Sequence, residues 1–381
     1  MKDFYRGFKL GILGGGQLGK MLIRSAMDFN IACTVMDPDP KAPCSRFANE
    51  FQAGDLTDFD QVVEFGRQAD LLTIEIENVN CDALEALEKE GRLVRPQSSV
   101  LRLIQDKGLQ KQFFEEHGIP TSEFELVEGR HDLSRHAGLL PAFLKLRRAG
   151  YDGRGVQRLS NAGDFVQAFQ APSVLEREVD FQKEISVIVA RNPSGDVRAF
   201  PVVELEFHPE EHLVEFLFSP AELDDETARE ASRIACTVAE KLGIEGLLAV
   251  EMFLDRQGRV LVNELAPRKH NSGHHTIEAN LTSQFEQHLR AIFDLPLGST
   301  HALAPAVMVN LLGAPGYDGE TRYRGMQEVL QVEGLHLHLY GKFYTRPYRK
   351  MGHITIVDPQ LSRAKEKARY VKRTLKVVAG G

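Results

Sequence analysis

Over the first hundred residues the apolar positions fall into short runs separated by stretches of helical period. Lys9–Leu13, Ala32–Met36 and Leu71–Ile76 read as strands, and a helix fits about Gln17 to Phe29. Strands that alternate with helices build a parallel sheet covered on both faces. From about Gln105 the rhythm changes. A helix over Lys107–His117 leads through Gly118-Ile119-Pro120-Thr121 into strand-rich sequence, which is broken by the glycine-rich Gly150-Tyr151-Asp152-Gly153-Arg154-Gly155. Further helices are expected at about Glu226–Leu242 and Ser283–Phe293, and beyond Leu297 the segments are short and β-like, clearest at Ala306–Leu311 and His336–Tyr340. The pattern gives an α/β domain over residues 1–104, an α+β region over 105–298 and a small β-rich domain over 299–381.

One hairpin in this pattern carries a chemical demand. Leu247–Asp255 and Arg259–Ala266 are apolar, strand-like runs, and Gln257-Gly258 between them fits a two-residue turn. Counting outward from that turn sets Glu251 opposite Glu264. Directly opposed residues have their Cβ atoms roughly 4.5–5.5 Å apart, where like charges repel. A shared proton or a divalent cation offsets the repulsion, and an all-oxygen donor pair suits Mg²⁺ completed by substrate phosphates. A slipped register, or a wet hairpin with screened charges, is the alternative.

Composition narrows the class. The chain has 381 residues, 43% hydrophobic and 26% charged, as a soluble globular protein of two or three units has. The start, Met1-Lys2-Asp3-Phe4-Tyr5-Arg6, has no apolar core of a signal peptide, and no apolar stretch is long enough to span a bilayer, so a cytoplasmic location and no membrane partner are expected. Cys33, Cys44, Cys81 and Cys236 form no Cys-x-x-Cys pair, which speaks for buried thiols and against zinc or disulfides. A net charge of -8 disfavours nucleic acid as a partner. Anionic ligands then need local cations, and basic clusters occur at Lys145–Arg148 and Arg346–Lys350; the Lys/Arg-rich stretch Arg363–Arg373 reads as a solvated amphipathic helix.

Two glycine loops and one polar loop add candidate chemistry. Gly14-Gly15-Gly16-Gln17-Leu18-Gly19 matches G-x-G-x-x-G between a strand and a helix, with Asp37 placed as a ribose-binding acid would be. That loop suits a dinucleotide, a single phosphate, or close helix packing. Lys145, in the strand Pro141–Leu146, precedes the second loop, Gly150–Gly155. A lysine there can neutralise a nucleotide's inner phosphates while the loop N–H groups cover the outer ones; a surface turn beside a solvated basic cluster is the bland alternative. Arg268, His270, Asn271 and His274 follow the second strand of the hairpin, a density of polar groups costly in a core and useful in a site.

Taken together, these motifs resemble the ATP-grasp superfamily and, within it, the N5-carboxyaminoimidazole ribonucleotide synthetase family. The likeness is carried by Gly11–Gly19, Gly150–Gly155, Asn263–His274, Thr282–Arg290 and Lys342 with Arg349-Lys350-Met351-Gly352-His353. The resemblance implies a parallel-sheet N-terminal domain, a central ATP-grasp region of two lobes and a small β-rich C-terminal domain. It implies a ligase that captures bicarbonate with ATP and Mg²⁺ (or Mn²⁺), through carboxyphosphate, and carboxylates 5-aminoimidazole ribonucleotide. A homodimer is expected on the same ground.

Residue by residue, the resemblance makes Lys107, Lys145 and Gly150, Tyr151, Asp152, Gly153, Arg154 and Gly155 the phosphate-binding set. Glu176 is expected to meet the adenine edge, Glu184 the ribose, His208 the nucleotide, and Glu251 and Glu264 the metal. The ribonucleotide is expected against Gln17, Leu18, Glu75, Tyr151, Asp152, Arg154, His270, Asn271, Lys342 and Arg349, with Arg268, Asn271 and Arg154 as catalytic candidates for holding bicarbonate and carboxyphosphate. His275 stands where the family commonly has tryptophan, and Val156 where it has glutamine. The rival readings are a formate-using or biotin-carboxylase-like ATP-grasp ligase, an NAD-dependent oxidoreductase resting on the first glycine loop, and a nucleotide sensor without turnover.

Overall fold

The computed structural model describes residues 6–148, 155–207 and 213–380. Gly150, Tyr151, Asp152, Gly153, Arg154 and His208 lie outside the described residues. In the first unit, β1 (Lys9–Leu13), β2 (Ala32–Asp37), β3 (Glu50–Ala53), β4 (Leu71–Ile74) and β5 (Leu93–Val94) form a parallel sheet in the order β3-β2-β1-β4-β5. Successive side chains of a strand point to opposite faces. Leu10 and Ile12 therefore pack with α1 (Gln17–Asp28), while Leu13, Leu72 and Ile74 join the core under α2 (Phe59–Arg67) and α3 (Cys81–Lys89). Sequence reading passed over α2 and α3, although Asp58 and Asn80 cap them by accepting the Gln61 and Ala83 N–H groups. Two more helices, α4 (Ser98–Ile104) and α5 (Lys107–Glu116), lead into the central region.

An antiparallel lobe follows, with β6 (Phe124–Val127), β7 (Ala142–Leu146), β8 (Val156–Leu159) and β9 (Ser173–Arg177) in the order β6-β9-β7-β8. The larger lobe begins with β10 (Phe181–Arg191), β11 (Val197–Ala199), β12 (Val203–Phe207) and β13 (Val214–Ser219). It continues through α6 (Asp225–Leu242), β14 (Gly246–Asp255), β15 (Val260–Ala266), α7 (Thr276–Ala279) and α8 (Gln284–Ile292). The C-terminal elements are β16 (Ala306–Leu312), β17 (Gly319–Arg324), α9 (Met326–Val329), β18 (Leu335–Leu339), β19 (Tyr344–Thr345), β20 (Lys350–Val357), α10 (Leu361–Thr374) and β21 (Lys376–Ala379).

Hydrogen bonding joins strands of the last two groups into one sheet, β15-β14-β10-β12-β13-β16-β20-β18, with β11 beside β10, while β19-β17-β21 form a small sheet of their own. The step at residue 299 is therefore no break in the sheet, because β13 pairs with β16 from Phe216–Val309 to Ser219–Ala306. Along β10 and β14 one face, including Ile185, Val187, Val250 and Met252, packs on Ile234, Ala235 and Val238 of α6. On the opposite face Ile188, Ala190, Leu247 and Ala249 pack against Ala291 of α8, and the part beyond them, at Glu184 and Glu251, is left for the site. The helix expected as solvated, Arg363–Arg373, is α10, and it is solvated on one side only: Ala364, Ala368 and Val371 are buried against Val309, Ile354 and Ile356.

The first unit locks onto this sheet. Leu18, Met21 and Leu22 of α1 share a core with Phe285, Leu289 and Ile292 of α8, and the Phe8 and Phe293 rings meet edge-on at 5.1 Å. Lys20 of α1 donates to the Leu339 carbonyl (2.9 Å) at the end of β18.

Several imidazoles are buried in these seams. His274, His275, His288 and His353 are each at most 1% exposed, and burial holds all four below their usual pKa. A base whose folded pKa is depressed adds stability above its unfolded value and loses it as pH falls. We expect the thermal midpoint to fall as pH drops from about 6.5 towards about 4, the value to which His275 is lowered. His275→Phe should make that slope shallower in a calorimetric pH series; comparing slopes separates the imidazole from the carboxylates, and an unchanged slope would count against it.

Candidate active site

The hairpin of β14 and β15 sets Glu251 directly opposite Glu264, as the sequence count has it, but by a different route. The expected two-residue turn is a three-residue loop, Arg256-Gln257-Gly258, closed by the Asp255 N–H donating to the Arg259 carbonyl (3.0 Å). Gly258 sits at φ 79°, the left-handed geometry such a loop requires. The Asp255 carboxylate fixes the loop by accepting the Gln257 and Arg259 N–H groups (2.9 and 2.8 Å). This slips the register by one residue, so that Met252 faces Val262. A bulge at Asn263 then restores it before the glutamates. Bulges re-aim side chains. Here Asn263 and Glu264 line one small cavity with Lys107, Gln110, Lys111, Lys145 and Glu176.

Strand alternation adds a third carboxylate. Ser186 of β10 faces Glu251, so Glu184, two residues earlier, shares its face. Burial, then the charge of Glu264, raises Glu184 to about 7. Glu251, with its side chain 17% exposed, is also raised, by burial first and then by Glu264 and Glu184. Glu264 goes the other way because the Lys107 amine lies 2.8 Å from it. The face therefore favours a proton or another positive charge beside Glu251.

The cations come from two anchored elements. Lys107 begins α5, which Asp106 caps by accepting the Gly108 and Leu109 N–H groups. Arg147, just past β7, grips both Asp106 oxygens at 2.8 Å, so the strand that carries Lys145 is fixed to the helix that carries Lys107. Arg148 also reaches Asp106 (3.4 Å). These two arginines of the basic cluster are thus structural. Glu176 on β9 is 4% exposed, and its carboxylate holds Lys145 (3.2 Å) and Lys111 (2.9 Å) and accepts from Ser122 (3.0 Å). Burial would raise it, but the two lysines outweigh burial and hold it low. Its carboxylate is committed to these partners, so the expected adenine contact falls on a group inside an ion cluster. Lys111 itself is lowered to about 8, by burial against the pull of Glu176.

The loop after β15 links this face to the first unit. Arg268 lies 2.8 Å from Glu77, and the fully buried Lys269 donates to the Ile74 carbonyl (2.9 Å). His270 Nε2 lies 3.2 Å from Glu251, while its Nδ1 accepts the Ser272 N–H (3.3 Å); Nε2 therefore carries the proton and donates to the carboxylate. Burial lowers His270 to about 3, consistent with a neutral ring. The Asn271 and Asn310 side-chain amides pair reciprocally at 2.9 Å, which ties the loop to β16. Gln284 of α8 clamps the loop by accepting the His270 N–H and donating to its carbonyl (2.9 and 2.8 Å).

At the first glycine loop the dinucleotide alternative meets a physical obstacle. The N–H groups of Gly16 and Leu18 donate to Glu75 (2.8 and 3.0 Å), and that of Gly15 to Asp37 (2.6 Å). Donors that would cradle a pyrophosphate are taken by the protein's own carboxylates. A Cβ on Gly16 would come 2.4 Å from Glu75, so the glycine serves this close approach. Around the rim, Lys342 donates to the Lys350 carbonyl (2.8 Å) and Arg349 to that of Tyr344 (2.6 Å). Burial and Arg349 lower Lys342 to about 8, and burial and Arg346 lower Arg349. Both changes are relieved by an anion.

The described residues expected at the site thus fall into one cluster around the hairpin (Lys107, Lys145, Glu176, Glu184, Glu251, Glu264) and a second around the first glycine loop (Gln17, Leu18, Glu75, Lys342, Arg349), with Arg268, His270 and Asn271 on the loop between them. Sequence reading missed Lys111, Asn263, Glu77, Gln284 and Asn310. Asn263 and Gln284 stand inside the segments Asn263–His274 and Thr282–Arg290 that carry the family likeness, whereas Lys111, Glu77 and Asn310 are marked only by contacts distant in sequence. Among the described residues no three His, Cys, Asp or Glu side chains converge as a metal cage, so an ion on Glu251 and Glu264 takes its remaining ligands from water or substrate.

Three family models match in order along the chain: a ribonucleotide synthetase preATP-grasp domain over residues 8–105, an ATP-grasp domain over 112–285 and a phosphoribosylaminoimidazole carboxylase C-terminal domain over 306–367. The chain is 38% identical over 360 residues to an N5-carboxyaminoimidazole ribonucleotide synthase of Bacillus subtilis, covering 93% of this chain and 92% of that one. It is 39% identical to a chloroplastic phosphoribosylaminoimidazole carboxylase of Vigna aconitifolia, of whose length it spans 64%. The solved N5-carboxyaminoimidazole ribonucleotide synthetase of Thermotoga maritima superposes with a TM-score of 0.91 at 43% identity, over 98% of this chain and 100% of that one. An Aspergillus clavatus N5-carboxyaminoimidazole synthase in complex with ADP and 5-aminoimidazole ribonucleotide superposes with a TM-score of 0.89 at 30% identity, over 97% of this chain and 99% of that one.

One position tests how tightly the loop is built. A Cβ on Gly273 would lie 2.3 Å from Ile188 and 2.6 Å from the Gln284 amide that holds His270. Gly273→Ala should destabilise the fold by about 1–3 kcal/mol in chemical denaturation and lower kcat through displacement of His270 and Asn271. Wild-type stability would show that the loop yields freely.

Proposed function

The chain belongs to the N5-carboxyaminoimidazole ribonucleotide synthetase family of ATP-grasp ligases, and we propose that its two residue clusters are the nucleotide and amine halves of that family's site. It is a ligase that uses ATP to form N5-carboxyaminoimidazole ribonucleotide in purine biosynthesis. The observation that carries the site assignment is the opposition of Glu251 and Glu264, with Lys107 on one carboxylate and a raised pKa on the other.

Lys107 and Lys145 bind the nucleotide phosphates and Glu184 the ribose. Glu251 and Glu264 hold Mg²⁺, which when bound neutralises and aligns the phosphates. Bicarbonate oxygen attacks the γ-phosphorus, the bond to the β–γ bridging oxygen breaks, and ADP leaves carboxyphosphate behind. Arg268 and Asn271 hold this anion. Arg268 is oriented by Glu77 and Asn271 by Asn310, so both are placed before substrate arrives. Carboxyphosphate releases CO₂ and phosphate in the closed pocket; the exocyclic amine of the ribonucleotide attacks the CO₂ carbon and loses a proton. Lys342 and Arg349 complement the 5′-phosphate, and Glu75 orders the loop that carries Gln17 and Leu18. The site residues outside the described ones, Gly150–Arg154 and His208, retain their expected roles as part of this proposal. So do a homodimer, which sedimentation tests, and a cytoplasmic location.

ADP release with Mg²⁺, ATP and bicarbonate should rise strongly when 5-aminoimidazole ribonucleotide is added; no stimulation in protein that binds ATP would redirect the search to another amine. Glu264→Gln should lower kcat by at least about 100-fold with an unchanged circular dichroism spectrum. Retained Mg²⁺-dependent turnover would remove Glu264 from the metal site.

A further inference from the structure

Lys111 lies one helical turn beyond Lys107 on α5 and is 2% exposed. Its amine donates to Thr121 Oγ1 (2.6 Å), Ser122 Oγ (3.0 Å) and Glu176 Oε2 (2.9 Å), which accounts for all three of its protons. Thr121 in turn donates to the Val262 carbonyl (2.7 Å) on β15, next to the bulge. The other Glu176 oxygen holds Lys145 at a longer 3.2 Å, and Lys145 shares itself with Asn263 (3.1 Å) at the cavity. Both lysines line the same cavity, and the one buried carboxylate thus carries one cation whose protons are all spent, its side chain 3% exposed, and one 15% exposed that is shared with the hairpin.

We propose that Lys111 is a positioning residue, the resident counter-ion of Glu176, which keeps that carboxylate neutralised while Lys145 leaves it for a nucleotide phosphate. A buried carboxylate stripped of its last cation is strongly disfavoured. With Lys145 as its sole cationic partner, Glu176 would hold that lysine back from the nucleotide. With Lys111 locked in place, Lys145 departs and Glu176 still has an ammonium and the Ser122 hydroxyl. The inference rests on the assignment of Lys145 to the phosphates.

The test is ADP affinity, by titration calorimetry on the full chain with Mg²⁺, in two backgrounds. Lys111→Met should weaken ADP about tenfold in the natural sequence and less than about threefold in a Glu176→Gln chain, where no carboxylate remains to retain Lys145. A purely structural lysine gives equal losses in both backgrounds, and that result would overturn the proposal, as would undiminished affinity in Lys111→Met. Should Lys111→Met alone not fold, Lys111→Gln in both backgrounds carries the same comparison: about tenfold in the natural sequence against less than about threefold with Glu176→Gln upholds the role, and equal losses overturn it. Lys145→Met checks the underlying assignment. Unchanged ADP affinity there sinks both, whereas weakened affinity there with equal Lys111→Met losses sinks the counter-ion role alone.

Discussion

Two carboxylates held face to face on adjacent strands make a demand that the surrounding residues meet. Glu251 and Glu264 cannot separate, because the alternate positions of both strands are packed beneath α6. Their repulsion is relieved by a proton on one, a lysine on the other, or a metal between them. The neighbouring features follow from that demand. Lys107 stands at a helix start pinned by Asp106, His270 donates to Glu251 as a neutral ring, and Glu184 brings a third carboxylate whose pKa is already near neutrality. A face with this balance favours an incoming cation with an anionic substrate attached to it.

The hairpin also marks the limit of what was legible in the chain. The opposed glutamates were readable from alternation, yet the count reached them through two departures that cancel, a longer turn and a bulge at Asn263. Turn length is set by local contacts such as the three bonds to Asp255 and its neighbours, and neither departure alters the hydrophobic pattern. The first glycine loop was legible as a loop, but the partners of its N–H groups were not. What fills its donors is Glu75, just past β4 and tens of residues away, together with Asp37 at the end of β2, and a one-dimensional motif cannot say whether its N–H groups meet a ligand or the protein. Lys111, Glu77 and Asn310 were hidden for the same reason. The long helices and strands were readable because burial imposes a period on many residues at once, whereas α2 and α3 rested on short runs and single caps.

The sheet explains how the two clusters stay in register. Eight strands run from the hairpin to β18, with β11 beside β10, and Lys342 and Arg349 lie in the connection between β18 and β20, so they are carried by the same hydrogen-bonded body as the glutamates. The first unit is fixed to that body by the α1–α8 core, by Lys20 on the Leu339 carbonyl, by Lys269 on that of Ile74 and by the Arg268–Glu77 ion pair, among other contacts. A site with two substrates to hold in fixed relation gains from such rigidity. The 268–271 loop, clamped by Gln284 and paired through Asn310, lies where the nucleotide-side face and the first unit meet.

An acidic chain that binds several anions must concentrate positive charge without leaving it idle. Here each cation assigned to a substrate among the described residues already has a partner: Lys107 has Glu264, Lys145 has Glu176, Arg268 has Glu77, and Lys342 and Arg349 have backbone carbonyls. Binding is therefore an exchange of partners, and its strength is a difference between two paired states. An exchange of this kind selects for ligands that compensate every group released. A metal with its phosphates can do so at the glutamates, where a lone anion would free Lys107 only by exposing two carboxylates to each other. The same logic separates the two halves of the site. Under the proposed assignment, cations around the hairpin would leave carboxylates, which favours metal and phosphate arriving together, whereas Lys342 and Arg349 would leave only neutral carbonyls, which a phosphate alone can replace.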